Sequence, residues 1–122
     1  MTTEAELVEW VRAALGAVET ESVRMFGGTG FMLAGNLLAA ASKRGLLLRV
    51  GEAQREQVLA RQGARPMVMH GRVMRDYVYL DSSGLDRKVT GECLRLALKF
   101  VGTLPPNAAR QKRKSRGKPA AS

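Results

Sequence analysis

The chain is poor in the residues from which reactive and metal-binding sites are made. Cysteine occurs once, as Cys93, and histidine once, as His70. A lone cysteine closes no internal disulfide, and one Cys with one His falls short of the ligand set that zinc requires. No Gly-Lys-Ser/Thr string is present, and no apolar run approaches the roughly 20 residues that span a bilayer. The N-terminus, Met1-Thr2-Thr3-Glu4-Ala5-Glu6, lacks the basic segment that opens a signal peptide. These absences predict a cytoplasmic protein with no membrane segment, no metal and no cofactor.

What is there suits one folded unit. The 122 residues are 45% hydrophobic, enough for one globular core and too few for two. Twenty Lys and Arg against eleven Asp and Glu give a net charge of +9, and six of those positive charges lie beyond Pro105 with no acid among them. The body, residues 1–106, is therefore left near +3, while residues 107–122 form a basic tail with no apolar period, expected to be disordered until bound.

Periodicity orders the body. Leu7, Val8, Val11, Ala14 and Leu15 recur at helical steps after Thr3, a candidate cap, with Glu4 and Glu6 in the first turn. Four short apolar stretches follow, Val23–Phe26, Phe31–Leu33, Leu37–Ala40 and Leu46–Val50, with Gly27–Gly30, Gly35-Asn36 and Lys43–Gly45 as tight hairpin connections. A helix over Ala53–Gln62 stops at Gly63, and two strands, Met67–His70 and Val73–Leu80, flank Gly71-Arg72. In the second, alternation sets Met74, Val78 and Leu80 on one face and Arg75, Tyr77 and Tyr79 on the other. Thr90 is the candidate cap of a last helix lined by Leu94, Ala97, Leu98 and Val101. The predicted class is α+β, an antiparallel sheet flanked by helices in the order α-β-β-β-β-α-β-β-α.

Few residues qualify as a site. Gly27-Gly28-Thr29-Gly30 leads into a strand rather than a helix N-terminus, so it reads as a turn and not as a phosphate cradle. His70 has no matched carboxylate or nucleophile nearby in sequence, and Cys93 stands at helical spacing with Ala97 as a small buried hydrophobe. Met25, Met32, Met67, Met69 and Met74 fall on strands, either filling a core or forming a Met-rich surface for a partner helix. Arg75, Tyr77 and Tyr79 pair a cation with two rings that either stack bases or pack under a helix. Arg110, Lys112, Arg113, Lys114, Arg116 and Lys118 make a cationic strip suited to phosphates, or a solubilising tail.

The string Val23-Arg24-Met25-Phe26-Gly27-Gly28-Thr29-Gly30-Phe31-Met32-Leu33-Ala34-Gly35-Asn36 resembles the opening hairpin of the TfoX/Sxy N-terminal domain family. The likeness continues through Leu46–Gly51, Ala64–Met67, Gly71–Tyr79 and Leu104-Pro105-Pro106, where relatives often carry proline and glycine in place of Val73 and Asp76. It covers nearly all of the body and leaves out the tail. The resemblance implies an α+β domain without known catalytic residues and, in the best-known members, regulation of natural competence together with a transcription activator. Those regulators carry a second, helical domain, so this chain is expected to be a stand-alone single-domain member.

Three functions follow as expectations. The first is a non-enzymatic regulatory module that touches DNA or RNA through the tail, helped by Arg72 and Arg75 with Tyr77 and Tyr79 as stacking residues, while the body recruits a transcription-factor partner. The second is a protein-interaction domain or homodimer without nucleic acid. The third, an enzyme, would need a spatial cluster that the sequence does not display.

Overall fold

The computed structural model describes residues 3–25 and 27–106. The first helix, α1 (Glu4–Leu15), begins where Thr3 Oγ1 accepts the Glu6 amide at 3.1 Å and Glu6 Oε1 accepts the Thr3 amide at 3.0 Å, a reciprocal cap that satisfies two otherwise orphaned donors. It ends at Gly16, whose amide donates to the Arg12 carbonyl. One stripe, Leu7, Val11 and Leu15, is buried.

Strands β1 (Glu21–Met25), β2 (Gly28–Leu33), β3 (Asn36–Ser42) and β4 (Gly45–Arg49) follow, then α2 (Glu52–Leu59), β5 (Ala64–Met69), β6 (Arg72–Asp81), a single 3-10 turn over Ser82–Gly84, and α3 (Arg87–Val101). This is the predicted α+β order. Several boundaries differ from the sequence reading. Strand β5 begins at Ala64, three residues before the predicted Met67, because Ala64 and Arg65 already pair with Leu80 and Tyr79, and it ends at Met69, leaving His70 in the turn. Gly28, Thr29 and Gly30 belong to β2 rather than to a turn, because Met25 already pairs with Gly28. Asn36 opens β3 opposite Leu33, and its buried amide donates to the Pro105 carbonyl at 3.0 Å. The helix predicted over Ala53–Gln62 closes at Leu59, three residues early. The cap of α3 is Asp86, whose extended backbone lets its carboxylate accept the Val89 amide at 2.7 Å; Thr90 lies a turn inside the helix and is fully buried.

The sheet has the order β1-β2-β3-β4-β6-β5, antiparallel throughout. All three helices supply the core on one of its faces. Leu46 and Leu48 of β4, Val78 and Leu80 of β6 and Phe31 of β2 meet Leu7 and Val11 of α1, Val58 of α2 and Leu94, Ala97 and Val101 of α3, all buried. Each of these side chains except Ala97 contributes about 1.5–3 kcal/mol by leaving water. Gln54 ties two helices together, its Nε2 donating to the Val50 carbonyl at 2.9 Å and to the Leu96 carbonyl at 2.8 Å. Among the described residues no helix is long and apolar enough to cross a membrane.

The alternation expected along β6 is broken by a bulge. Pro66 pairs with Val78 and Val68 with Val73, so the single residue Met67 on β5 faces the four residues 74–77 on β6. The Asp76 carbonyl turns toward α2 and accepts the amides of both Val50 and Gly51, at 2.8 and 2.9 Å. This slip re-phases the strand. Met74, predicted beside Val78 and Leu80, sits instead on the face of Tyr77, and Arg75 is detached from the two tyrosines.

Two glycines give opposite expectations. A Cβ at Gly28 would overlap the Ala41 backbone carbonyl, whereas one at Gly91, inside α3, would meet nothing within 4 Å. Gly28→Ala should destabilise the fold by about 2 kcal/mol or more, and Gly91→Ala should stabilise it by about 0.5–1 kcal/mol, in urea denaturation.

Candidate functional site

The face of the sheet that carries no helix is not flat. Met25 lies on one edge strand, β1, and Met67 on the other, β5, yet both line the same pair of cavities. The sheet therefore curls until its two edges look across a common trough. One cavity, of about 300 Å³, adds Leu37, Met69, Met74 and Tyr77; the other, of about 350 Å³, adds Ala40, Pro66 and Tyr79; Leu47 of β4 forms the floor of both.

Strand alternation puts these side chains there. Leu47 and Arg49 face away from Leu46 and Leu48, and their partners Tyr79 and Tyr77 face away from Leu80 and Val78. Gly30 keeps this face open at β2, since a Cβ there would come to 2.6 Å from the Met25 sulfur. Met32 is buried, but Met25, Met67, Met69 and Met74 are only half-buried. Met32, buried opposite Leu37, stands outside the helix-side core cluster, and the four others are wall.

Arginines mark the rim. The Arg49 guanidinium lies 5.5 Å from the Tyr77 ring centre, and that of Arg65 lies 5.0 Å from the Tyr79 ring centre. Each has a carboxylate beside it, Asp76 at 3.7 Å and Asp81 at 3.8 Å, distances too long for a hydrogen bond. Arg49 Nε has no acceptor among the described residues. Arg44, exposed in the β3–β4 connection, completes the set. Three arginines and no carboxylate line the trough.

The residues singled out from sequence separate in space. Tyr77 and Tyr79 are both in the trough, one in each cavity. Arg72 is exposed at the β5–β6 hairpin, and Arg75, exposed on the bulge, is 3.5 Å from Glu52 at the start of α2. The predicted Arg75–Tyr77–Tyr79 face is therefore not formed. His70 is an exposed loop residue with φ +53°, next to Gly71 at φ +75°, the geometry of a tight two-residue hairpin. Cys93 is buried in α3, and desolvation raises its thiol pKa above the ordinary value, with Glu92 adding to and Arg61 opposing the rise. Arg110, Lys112, Arg113, Lys114, Arg116 and Lys118 lie outside the described residues. Sequence reasoning missed Arg44, Arg49 and Arg65; the signal was available for Arg49, at the alternate position to Leu48 in its strand.

No group of three or more His, Cys, Asp or Glu side chains placed to hold a metal occurs among the described residues. What the trough offers is an apolar, adaptable floor with a cationic margin, an arrangement for binding. A second groove, of about 350 Å³, runs between α1 and α3 past Trp10, Gly91 and the exposed Arg87 and Arg95.

Asp81 gives the margin a pH dependence. Its carboxylate accepts the Ser83 hydroxyl at 2.6 Å and the Ser83 amide at 3.3 Å, and these bonds, with a smaller push from Arg65, hold its pKa below the ordinary aspartate value. A lowered folded-state pKa stabilises the fold above the ordinary value, and that contribution is lost as pH falls through the lowered one. Ser83→Ala should raise the Asp81 pKa toward the ordinary value, read by carboxyl-carbon NMR titration, and shrink the acid-limb loss of stability. A Cys93 held as a buried thiol should react with alkylating reagents only at the rate of global unfolding.

Residues 13–100 of the 122-residue chain match the family model of the TfoX N-terminal domain. No match was found among curated proteins or among solved structures.

Proposed function

The chain belongs to the TfoX N-terminal domain family, a regulatory type of domain, and from that premise we propose that it is a non-enzymatic regulatory module of the cytoplasm that contacts nucleic acid through residues 107–122. The observation that carries this reading is the partition of charge. Within the body, Arg24, Arg49, Arg55, Arg61, Arg65 and Arg75 each have a carboxylate within 4 Å. Part of the body's positive charge is thus balanced nearby, although at Arg49 and Arg65 the carboxylate stands beyond hydrogen-bond distance. Six Lys and Arg in the tail have no acid in their own segment, and a basic segment of this kind gains affinity for a phosphate backbone by releasing its counterions. Arg72, exposed at the hairpin, would assist from the body; Arg75 would first have to leave Glu52. Control of competence is the setting of the family's best-known members and the first process in which a role for this chain can be tested.

A second reading, a protein-interaction domain without nucleic acid, is favoured by the helix-free, Met-lined face of the sheet.

The two separate in one titration. Affinity for duplex DNA and for single-stranded RNA, measured at several salt concentrations, should fall steeply with salt, with a log–log slope on duplex DNA approaching about −5 if all six tail cations engage phosphates. Replacing those six residues by serine should abolish most of the slope. Equal affinity and equal slope in the two chains would remove the tail from the interface and leave the protein-interaction reading.

A further inference from the structure

We propose that the trough is the docking site for an acidic amphipathic helix of a partner protein, whose large apolar side chains enter the two cavities while its carboxylates meet Arg44, Arg49 and Arg65. The inference gives the protein-interaction reading a surface and a partner chemistry, and it does not need nucleic-acid contact.

Charge selects the partner. The margin carries three arginines, and the carboxylates nearest to two of them stand at 3.7 and 3.8 Å, so both guanidiniums keep donors to offer. The Arg49 Nε has no acceptor at all among the described residues. That Nε is itself buried, so an incoming Glu or Asp would meet the terminal guanidinium nitrogens, which Asp76 leaves outside hydrogen-bond distance. Residues 107–122 of this chain are excluded as occupant by the same argument: they carry six cations, no acid and no large aliphatic or aromatic side chain. A second copy offering the same face would bring two arginine margins together.

Shape selects the helix. The cavities lie side by side, share Met25, Leu47 and Met67, and suit side chains three and four apart on one helical face. An added strand would pair with an edge, outside the two cavities, and of the two edges β5 holds Pro66, which has no amide to give. Nucleic acid fits less well. Arg49 and Arg65 already cover a face of Tyr77 and Tyr79, and methionine and leucine give a phosphate nothing. Unbranched thioethers on three strands and both edges of the sheet let the walls conform to such a helix.

The probe is a synthetic peptide of about 15 residues, or about four helical turns, with Leu and Phe on one face and Glu on the other. Its counterpart has Lys for every Glu. Full-length chain labelled with ¹³C at the methionine methyls is titrated with each. The methyl signals of Met25, Met67, Met69 and Met74 should shift with the acidic peptide, and the Lys peptide should bind at least about tenfold more weakly. Arg44→Glu, at an exposed loop position, should weaken the acidic peptide about tenfold, and Met67→Glu should weaken it further. Equal binding of the two peptides, unshifted trough methyls at saturation, or an Arg44→Glu chain that binds as tightly as the parent would each overturn the proposal; the loop variant decides even if Met67→Glu fails to fold. DNA affinity is read on the same samples. Loss of peptide binding with DNA affinity intact removes the trough proposal alone, and loss of DNA affinity with peptide binding intact removes only the tail reading.

Discussion

A six-stranded antiparallel sheet in which all three helices pack on one face has to dispose of its other face, and that single constraint organises the molecule. Strand β4 shows the conflict most directly: Leu46 and Leu48 go to the helices, and Leu47, equally apolar, goes the other way. A flat sheet would leave Leu47 in water. Curling the sheet brings β1 and β5 toward each other, so that Met25 and Met67 shelter Leu47 from either side and hold it to 6% exposure. The shelter is partial, because the two edges do not pair with each other. A trough results in place of a closed barrel.

The bulge in β6 serves the same end. Without it, strict alternation would carry Met74 into the helix-side core with Val78 and Leu80 and would set Arg75 beside Tyr77. Three extra residues on β6 between the Pro66–Val78 and Val68–Val73 pairs reverse the phase, so Met74 joins the trough wall while Arg75 swings to Glu52. The freed Asp76 carbonyl then fastens the start of α2 through two amides. A local loss of ladder hydrogen bonds thereby places one wall of the trough and one end of a helix at once.

This division explains what could be read in advance. Order, fold class and most elements were legible because they depend on local period and on caps: the Thr3–Glu6 box and the helical stripe of Leu7, Val11 and Leu15 lie within a few residues of one another. The cap at Asp86 was missed because the residues after it, Arg87 and Lys88, are polar and the apolar stripe begins only later, at Val89. The family likeness was legible from contiguous motifs. The site was legible only in its parts. Tyr77, Tyr79 and the methionines were singled out, but their shared trough depends on the pairing of β4 with β6 and on a bulge, both of which join residues far apart in the chain or leave no local mark. Arg49 and Arg65 sat unremarked in strands, since an arginine becomes a margin residue only when its strand's neighbours are known.

Two regions of like charge need not compete for the same partner where their charges are desolvated to different degrees. The six tail cations have no carboxylate in their own segment, and attraction between solvated charges is screened over about 8–10 Å at ordinary ionic strength. Arg49, with 22% of its side chain exposed, lies against the Tyr77 ring beside an apolar floor, where a carboxylate arriving on a helix would gain a hydrogen bond in a medium of lower polarity and be screened less. Arginine suits this margin better than lysine, since its flat group covers a tyrosine ring and still presents N–H donors at its edge. Salt would therefore separate the two proposed contacts: it would weaken a phosphate contact made by the tail much more than a helix seated in the trough, so a partner protein and a nucleic acid could be held, and released, independently.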